Sequence, residues 1–203
     1  MDIANTPRSR NPRGHGERLR DEILEAATAL LEGLQDDEAL SLRAVARQIG
    51  VAAPSVYLHF PNRDALVLAV MERCHAELVA AVDEAALTAP NPAAELRTRA
   101  RLHVEWGLRH PGLYKVLHES LLNQRADTPA KRELTARTVI SIQSCIDSGL
   151  APPGDAASIA FDLRTAIHGM TCQRINQPDS PWPPYQQQID RFLAALVGLP
   201  PPL

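Results

Sequence analysis

Apolar residues recur three and four positions apart along this chain, in runs separated by proline and glycine. The spacing predicts a helix over about 17–33, striped by Leu19, Ile23, Ala26, Ala27, Leu30 and Leu31 and stopped at Gly33. The acidic stretch Gln35 to Glu38 reads as a surface loop. Ser41 then caps a short helix over 42–48, Gly50 breaks it, and Pro54 suits the first turn of a helix over about 53–60, closed by Pro61. Asn62 caps a long fourth helix, with Asp64 near its positive end. Its stripe, Leu66, Val67, Val70, Met71, Cys74, Leu78, Val79 and Val82, runs until Pro90-Asn91-Pro92. Further helices are expected over about 93–109, 112–121, 129–148, 155–175 and 184–198. The seventeen prolines fall almost entirely at the breaks between these segments, as an all-helical chain requires. The expected class is therefore all-α with about nine helices, without an internal repeat. A small N-terminal domain over 17–64 precedes a larger one over 65–203, the boundary falling inside the fourth helix.

Composition supports this picture. Of 203 residues, 45% are hydrophobic and only 4% aromatic, with Ala and Leu abundant, which favours helix. Residues 1–16 hold prolines, glycines and arginines with almost no apolar side chain and read as a disordered basic arm. Net charge is −3, so a nucleic-acid surface has to come from local clustering. Such clusters exist: Arg8, Arg10, Arg13, Arg18 and Arg20 near the start, and Arg43, Arg47 and Arg63 in a stretch without acids between Glu38 and Asp64. The three cysteines, Cys74, Cys145 and Cys172, form no CxxC pair, so neither a structural zinc site nor a disulfide framework is expected, and Cys74 and Cys145 fall on apolar helix faces. No cofactor is called for. The start lacks a signal-peptide core and no apolar run approaches the roughly 20 residues that span a bilayer; a cytosolic protein away from membranes is expected.

The segment Ser41 to Phe60 has the pattern of a helix-turn-helix. Val45, Ala46 and Ile49 share one side of the first helix, Val56 and Phe60 one side of the second. Ala46 is small where the helices approach, and Gly50 tolerates a positive φ in the turn. The stretch around the second helix is more specific. Tyr57-x-His59-Phe60-Pro61-Asn62-Arg63-Asp64-x-Leu66, preceded by Leu42-Arg43-x-Val45-Ala46 and Gly50-Val51, resembles the signature of the TetR family of bacterial transcriptional repressors over about residues 17–70. The resemblance implies an N-terminal DNA-binding domain and a C-terminal domain for ligand binding and dimerisation.

That implied function gives the residues roles. Ser41 offers its hydroxyl and helix N-terminal amides to a phosphate, and Arg43 projects from the same end. Ala52, Ala53, Pro54 and Ser55 face base edges in the major groove. Tyr57 and His59 have rigid rings with polar tips suited to phosphate oxygens, with a core role for Tyr57 and a local capping role for His59 as alternatives. Arg63 stands where the family commonly carries lysine and adds a bidentate option. Arg13, on the arm, is within reach of phosphates or a minor groove. Because Ala52-Ala53-Pro54 carries no long polar side chain, readout leans on thymine methyls, Ser55, the backbone and DNA shape. Leu58 is either a contact to sugar or methyl groups or a stray surface residue.

In the C-terminal part, Leu163 to Gly169 and His110 to Tyr114 resemble a TetR subgroup with a Trp before a His-Gly pair; Arg164 replaces that Trp. A mostly apolar cavity is expected, with Met71, His103, Trp106, Tyr114, Leu117, His118, Cys145, Arg164 and His168 as candidate lining. Arg164 turned inward favours an anionic ligand; turned outward it is a dimer-rim ion pair. The family implies a homodimer through the last two long helices, whose stripes are Ala156, Ile159, Ala160, Leu163 and Ile167, and Ile189, Phe192, Leu193 and Leu196, with small residues such as Gly169 easing close contact. Packing of both stripes within the monomer is the alternative. The partners expected are double-stranded operator DNA, a small-molecule inducer and a second copy of the chain. Catalysis by the histidines has little support: His103 and Glu105 are two apart and do not share a helix face, and no HExxH motif, nucleophile elbow or phosphate loop is present. An activator or ligand-independent regulator of the same fold stays open.

Overall fold

The structure, a computed structural model, describes residues 15–125 and 127–200. Its ten α-helices, in chain order, are α1 (His15–Leu34), α2 (Leu42–Gln48), α3 (Ala53–Tyr57), α4 (Arg63–Ala86), α5 (Pro92–Arg109), α6 (Pro111–Glu119), α7 (Leu121–Arg125), α8 (Pro129–Asp147), α9 (Ala156–Asn176) and α10 (Tyr185–Phe192). A π-helical turn, Leu193–Val197, extends α10 and ends at Gly198 with φ 79°. The all-α class holds, with no strand among the described residues.

Local chemistry sets most boundaries. Ser41, Asn62, Asn91, Thr128 and Asp155 each place a side-chain oxygen on a first-turn amide of the next helix, and prolines occupy the first turns of α3, α5, α6 and α8. Three boundaries differ from the sequence expectation. α1 already includes His15 and Gly16, placed in the arm by composition; the rest of the arm, Arg13 included, lies outside the described residues. α3 stops at Tyr57 rather than at residue 60, because the amides of His59 and Phe60 both turn onto the carbonyl of Val56. The tenth helix, α7, arises where Ser120 ends α6 and its Oγ accepts the amide of Leu122 at 3.1 Å.

Two apolar cores form. One joins α1, α2, α3 and the first half of α4 through Ile23, Leu31, Val45, Val56 and Val67, and takes in Leu113, Val116 and Leu117 of α6. The other joins α5, α8, α9 and α10 around Val104, Ile142, Cys145, Leu163 and Leu193. The first core therefore runs along α4 as far as Cys74 and reaches α6, instead of ending near residue 65. Burial of each such side chain stabilises by roughly 1.5–3 kcal/mol.

Ion pairs and hydrogen bonds tie the outer helices down. Arg97 of α5 meets Asp190 of α10 at 3.2 Å and also donates to the Pro200 carbonyl. The Tyr185 hydroxyl donates to Glu105 at 2.8 Å. Buried Arg174 donates to the Pro183 carbonyl and to Gln188 Oε1, each at 2.8 Å, and lies over the Trp182 ring, which fixes the α9–α10 connection.

Candidate functional site

The helix-turn-helix is built as its residues dictate. Val45, Ala46, Val56 and Phe60 are buried, Gly50 takes φ 71°, and the Val51 amide bonds back to the Ala46 carbonyl at 3.0 Å. This packing turns the remaining side chains outward. Ser41, Arg43, Ala52, Pro54 and Tyr57 are exposed, while Ala53, Ser55, His59 and Arg63 are half-buried along the same surface. Tyr57 is 49% exposed, which removes its core alternative, and Leu58 is 86% exposed. Ser41 Oγ accepts the Ala44 amide at 3.2 Å, which leaves its O–H free to donate. Arg43 and Arg47 have no ion-pair partner among the described residues, and Arg20 lies over the Phe60 ring at 5.2 Å.

Arg63 differs from its simplest reading. Its Nε and Nη2 reach Asp64 Oδ1 at 2.9 and 2.8 Å, and that hydrogen bond holds the guanidinium pKa above its ordinary value. Arg63 is an ion-paired donor, so much of the free positive charge of this face comes from Arg43 and Arg47.

A cavity of about 300 Å³ opens among α4, α5, α6, α8 and α9. Of the candidate lining residues, the structure gathers His103, Leu117, His118, Arg164 and His168 around it. The other four are elsewhere. Met71 belongs to the first core, Cys145 to the second, and Trp106 packs beside the first core and against His110. Tyr114 is fully buried and meets the wall from behind, its hydroxyl 3.0 Å from His168 Nδ1. The cavity's actual wall lies one helical turn beyond Met71, at His75, Leu78 and Val82, and opposite them at Leu96 and Ala100. His75 was not among the expected lining residues; its place four residues after Met71 on the same helix face is the signal that could have found it.

Four imidazoles gather at one end. His118 is 4.7 Å from His168 and 5.9 Å from His103 between ring centroids, and His75 lines the same cavity with its Nδ1 unpartnered. Burial lowers the pKa of all four; for His103 it falls to about 4. Near neutral pH the cluster is uncharged. Arg164, at the mouth, has its guanidinium pKa lowered by desolvation and in turn depresses all four imidazoles. Among the described residues, no group of three or more His, Cys, Asp or Glu is placed to hold a metal ion. No helix among them is long and apolar enough to cross a membrane.

The helices that wall the cavity also enter the helix-turn-helix core. α4 gives Val67, Val70 and Met71 to the core and His75, Leu78 and Val82 to the cavity; α6 gives Leu113 and Val116 to the core, Leu117 to both, and His118 to the cavity. The start of α6 is clamped to α1. Glu32 accepts the amides of Gly112 and Leu113 at 3.0 and 3.1 Å, serving a helix whose own N-cap, His110, offers no side-chain bond. A Cβ on Gly112 would collide with the Glu32 carbonyl, so α6 sits directly on α1 and needs glycine there.

The stripes expected to pair with a second copy are occupied within the chain. Ala156, Ala160, Leu163, Ile167, Ile189 and Leu193 are all buried, while Ile159, Phe192 and Leu196 are partly buried against the second core. Leu163 and Ile167 also line the cavity. The helical period explains the shift: the broad apolar stripe is the inward face, and the outward face carries Ser158, Asp162, Gly169 and Gln173 on α9, with the exposed Phe161, and Gln187 and Arg191 on α10.

Comparison with known proteins agrees with this architecture. Residues 23–70 match the model of bacterial regulatory proteins of the tetR family, and residues 96–198 that of the tetracyclin repressor-like C-terminal domain. The chain belongs to the TetR family of transcriptional regulators. The nucleoid occlusion factor SlmA of Salmonella newport is 26% identical over 98 residues, 48% of this chain and 50% of SlmA; the chain spans about half the length of the curated relatives it matches. A protein of unknown function from Rhodococcus sp. RHA1 shares the fold with a TM-score of 0.74 and 26% identity, over 93% of this chain and 100% of that one. AibR, seen in complex with isovaleryl coenzyme A and operator DNA, has a TM-score of 0.65 and 21% identity, over 91% and 99%.

Proposed function

We propose that this regulator is a homodimeric repressor whose operator affinity is set by a small molecule in the C-terminal cavity. The observation that carries the reading is the double membership of α4 and α6, each in the helix-turn-helix core and in the cavity wall. A ligand that favours one packing of these helices biases the other end by the same free energy. In a dimer, the two recognition helices must fit major grooves about 34 Å apart. A few kcal/mol in favour of a different spacing empties the operator. AibR, with its acyl coenzyme A and DNA, supports the reading by analogy of fold. The copies would meet through the outward faces of α9 and α10.

On the DNA side, Ser41, Arg43, Tyr57, His59 and Arg63 grip phosphates, and Ala52, Ala53, Pro54 and Ser55 meet base edges. The test is binding to the DNA flanking the protein's own gene across a salt series. Arg43→Ala is expected to weaken binding and lower the slope of log affinity against log salt by about one. An unchanged slope would remove Arg43 from the interface. Deletion of the gene is expected to raise expression from that promoter; a fall would make the protein an activator.

A further inference from the structure

The cavity's lining is sorted along its length. Leu78 and Val82 of α4 and Leu96 and Ala100 of α5 are apolar and lie toward the α4–α5 turn. His75 and His103, near the other end of the same antiparallel pair, join His118, His168 and Arg164. Arg99 also lines the end toward the turn, where Glu95 and Asp83 pair with it, so the space is apolar there apart from that neutralised cation and its other end carries positive charge. Neither Asp nor Glu is among the lining residues.

The cations divide clearly. Arg99 is neutralised, its Nη2 2.8 Å from Glu95 and 3.6 Å from Asp83. Lys131 donates to the Asn123 carbonyl at 2.8 Å. Arg164 has no hydrogen bond or ion pair to a described residue. The acids that act on the imidazoles, Glu72 on His75 and Glu119 on His168, do not line the cavity; Glu72 accepts the Ala130 amide on Oε1 at 3.2 Å, while its Oε2 is buried without a partner among the described residues. At the same end, His75 is only 5% exposed and its Nδ1 has no partner. The buried His75 ring nitrogen is unfavourable until a ligand supplies a partner, and the exposed Arg164 guanidinium at the mouth, bonded to no other described residue, is free to meet an incoming anion.

We infer that the cavity takes an organic carboxylate: its head group lies between Arg164 and the imidazole cluster, and its apolar body lies against Leu78, Val82, Leu96 and Ala100. A guanidinium offers paired N–H donors matched to a carboxylate. The neutral imidazoles each hold one N–H, so the cluster adds donors without a second fixed charge. The inference deepens the proposed function, since it names the ligand class of the same cavity.

The test compares octanoate, 1-octanol and octylammonium, matched in apolar body, by calorimetric titration of the full-length protein. Octanoate is expected to bind on the order of tenfold or more tighter than octanol, as one charge-assisted hydrogen bond implies, with octylammonium weakest. Arg164→Gln, at the open mouth where folding is not at stake, is expected to erase the preference for octanoate while leaving octanol unchanged. Equal binding of all three, preference for octylammonium, no binding of octanoate, or a preference that survives Arg164→Gln would overturn the inference. Operator binding with octanoate present is measured separately. Octanoate that binds as expected but leaves operator affinity unchanged upholds the ligand class and defeats the inducer reading instead.

Discussion

Removing the Glu32 carboxylate tests whether α6 couples the cavity to the DNA-binding domain. The side chain accepts two amides at the start of α6, at 3.0 and 3.1 Å, and is 31% exposed. Hydrogen bonds to a charged group contribute about 1.5–3 kcal/mol when well buried; a negative charge at a helix N-terminus contributes about 0.3–1 kcal/mol. Partial exposure cuts the sum, so Glu32→Ala is expected to cost about 1–2 kcal/mol. In a chain of 203 residues that is a fall in Tm of about 2–8 °C. Glu32→Gln keeps one acceptor oxygen and should lose about half as much. The decisive readout is the ratio of operator Kd with and without a saturating cavity ligand, which is the coupling free energy between the sites. Loosening α6 from α1 should shrink that ratio, with cavity affinity nearly unchanged. If stability falls as expected while the ratio stays within about twofold of the parent protein, α6 is structural only and coupling runs through α4. If neither moves, the clamp has no energetic weight.

Mild acid should destabilise the protein before its carboxylates titrate. Unfolded imidazoles bind protons below about pH 6.5, whereas burial holds His103 to about 4 and His118 also low; the unfolded chain therefore gains protons that the native state refuses, and stability is fully present above about pH 6.5 and lost as pH falls. His103 alone accounts for about 2 kcal/mol by about pH 5, so denaturant midpoints should fall between about pH 7 and 5 and His103→Gln should flatten that slope; a flat parent profile would refute the buried neutral cluster. Gly107→Ala is the packing test: a Cβ there lies 2.6 Å from the Tyr114 ring and 2.8 Å from Thr171, so the variant should lose about 1–3 kcal/mol and disturb Tyr114 and the His168 it bonds, whereas parent-like unfolding would show that this junction has slack.

The parts of the molecule legible in the sequence are those decided by neighbours in sequence. Ser41, Gly50 and Asn62 act over three or four residues, and each does in the structure what its chemistry implied. The pairing of Val45 and Ala46 with Val56 and Phe60 is also short-range, and it alone turns Arg43 and Tyr57 outward. The cavity is different. Met71 and His75 share a helix face, but which one reaches open space depends on where α5 and α8 cross α4. Cys145 sits on the correct helix and one layer too deep. On α9 an apolar stripe looks the same whether it faces its own chain or a partner, and Leu163 and Ile167 proved to face inward. Glu32 carries no local signal, since its partners lie eighty residues away.

The placement of α6 makes that long-range contact matter. Nine residues of α-helix span about 13 Å. One end is held to α1 by Glu32 and by Gly112, where even a methyl group would not fit. The other end presents Leu117 and His118 to the cavity. Between them Leu113, Val116 and Leu117 are packed into the core that also holds Val45 and Val56 of the helix-turn-helix. A close-packed core resists continuous deformation, so a head group that draws His118 toward Arg164 cannot be absorbed within α6. On the proposed function the displacement passes to α1, whose apolar face packs against the helix-turn-helix. If the imidazole cluster and the glycine clamp act as two ends of one lever, substitutions at either end change the same coupling ratio in proportion.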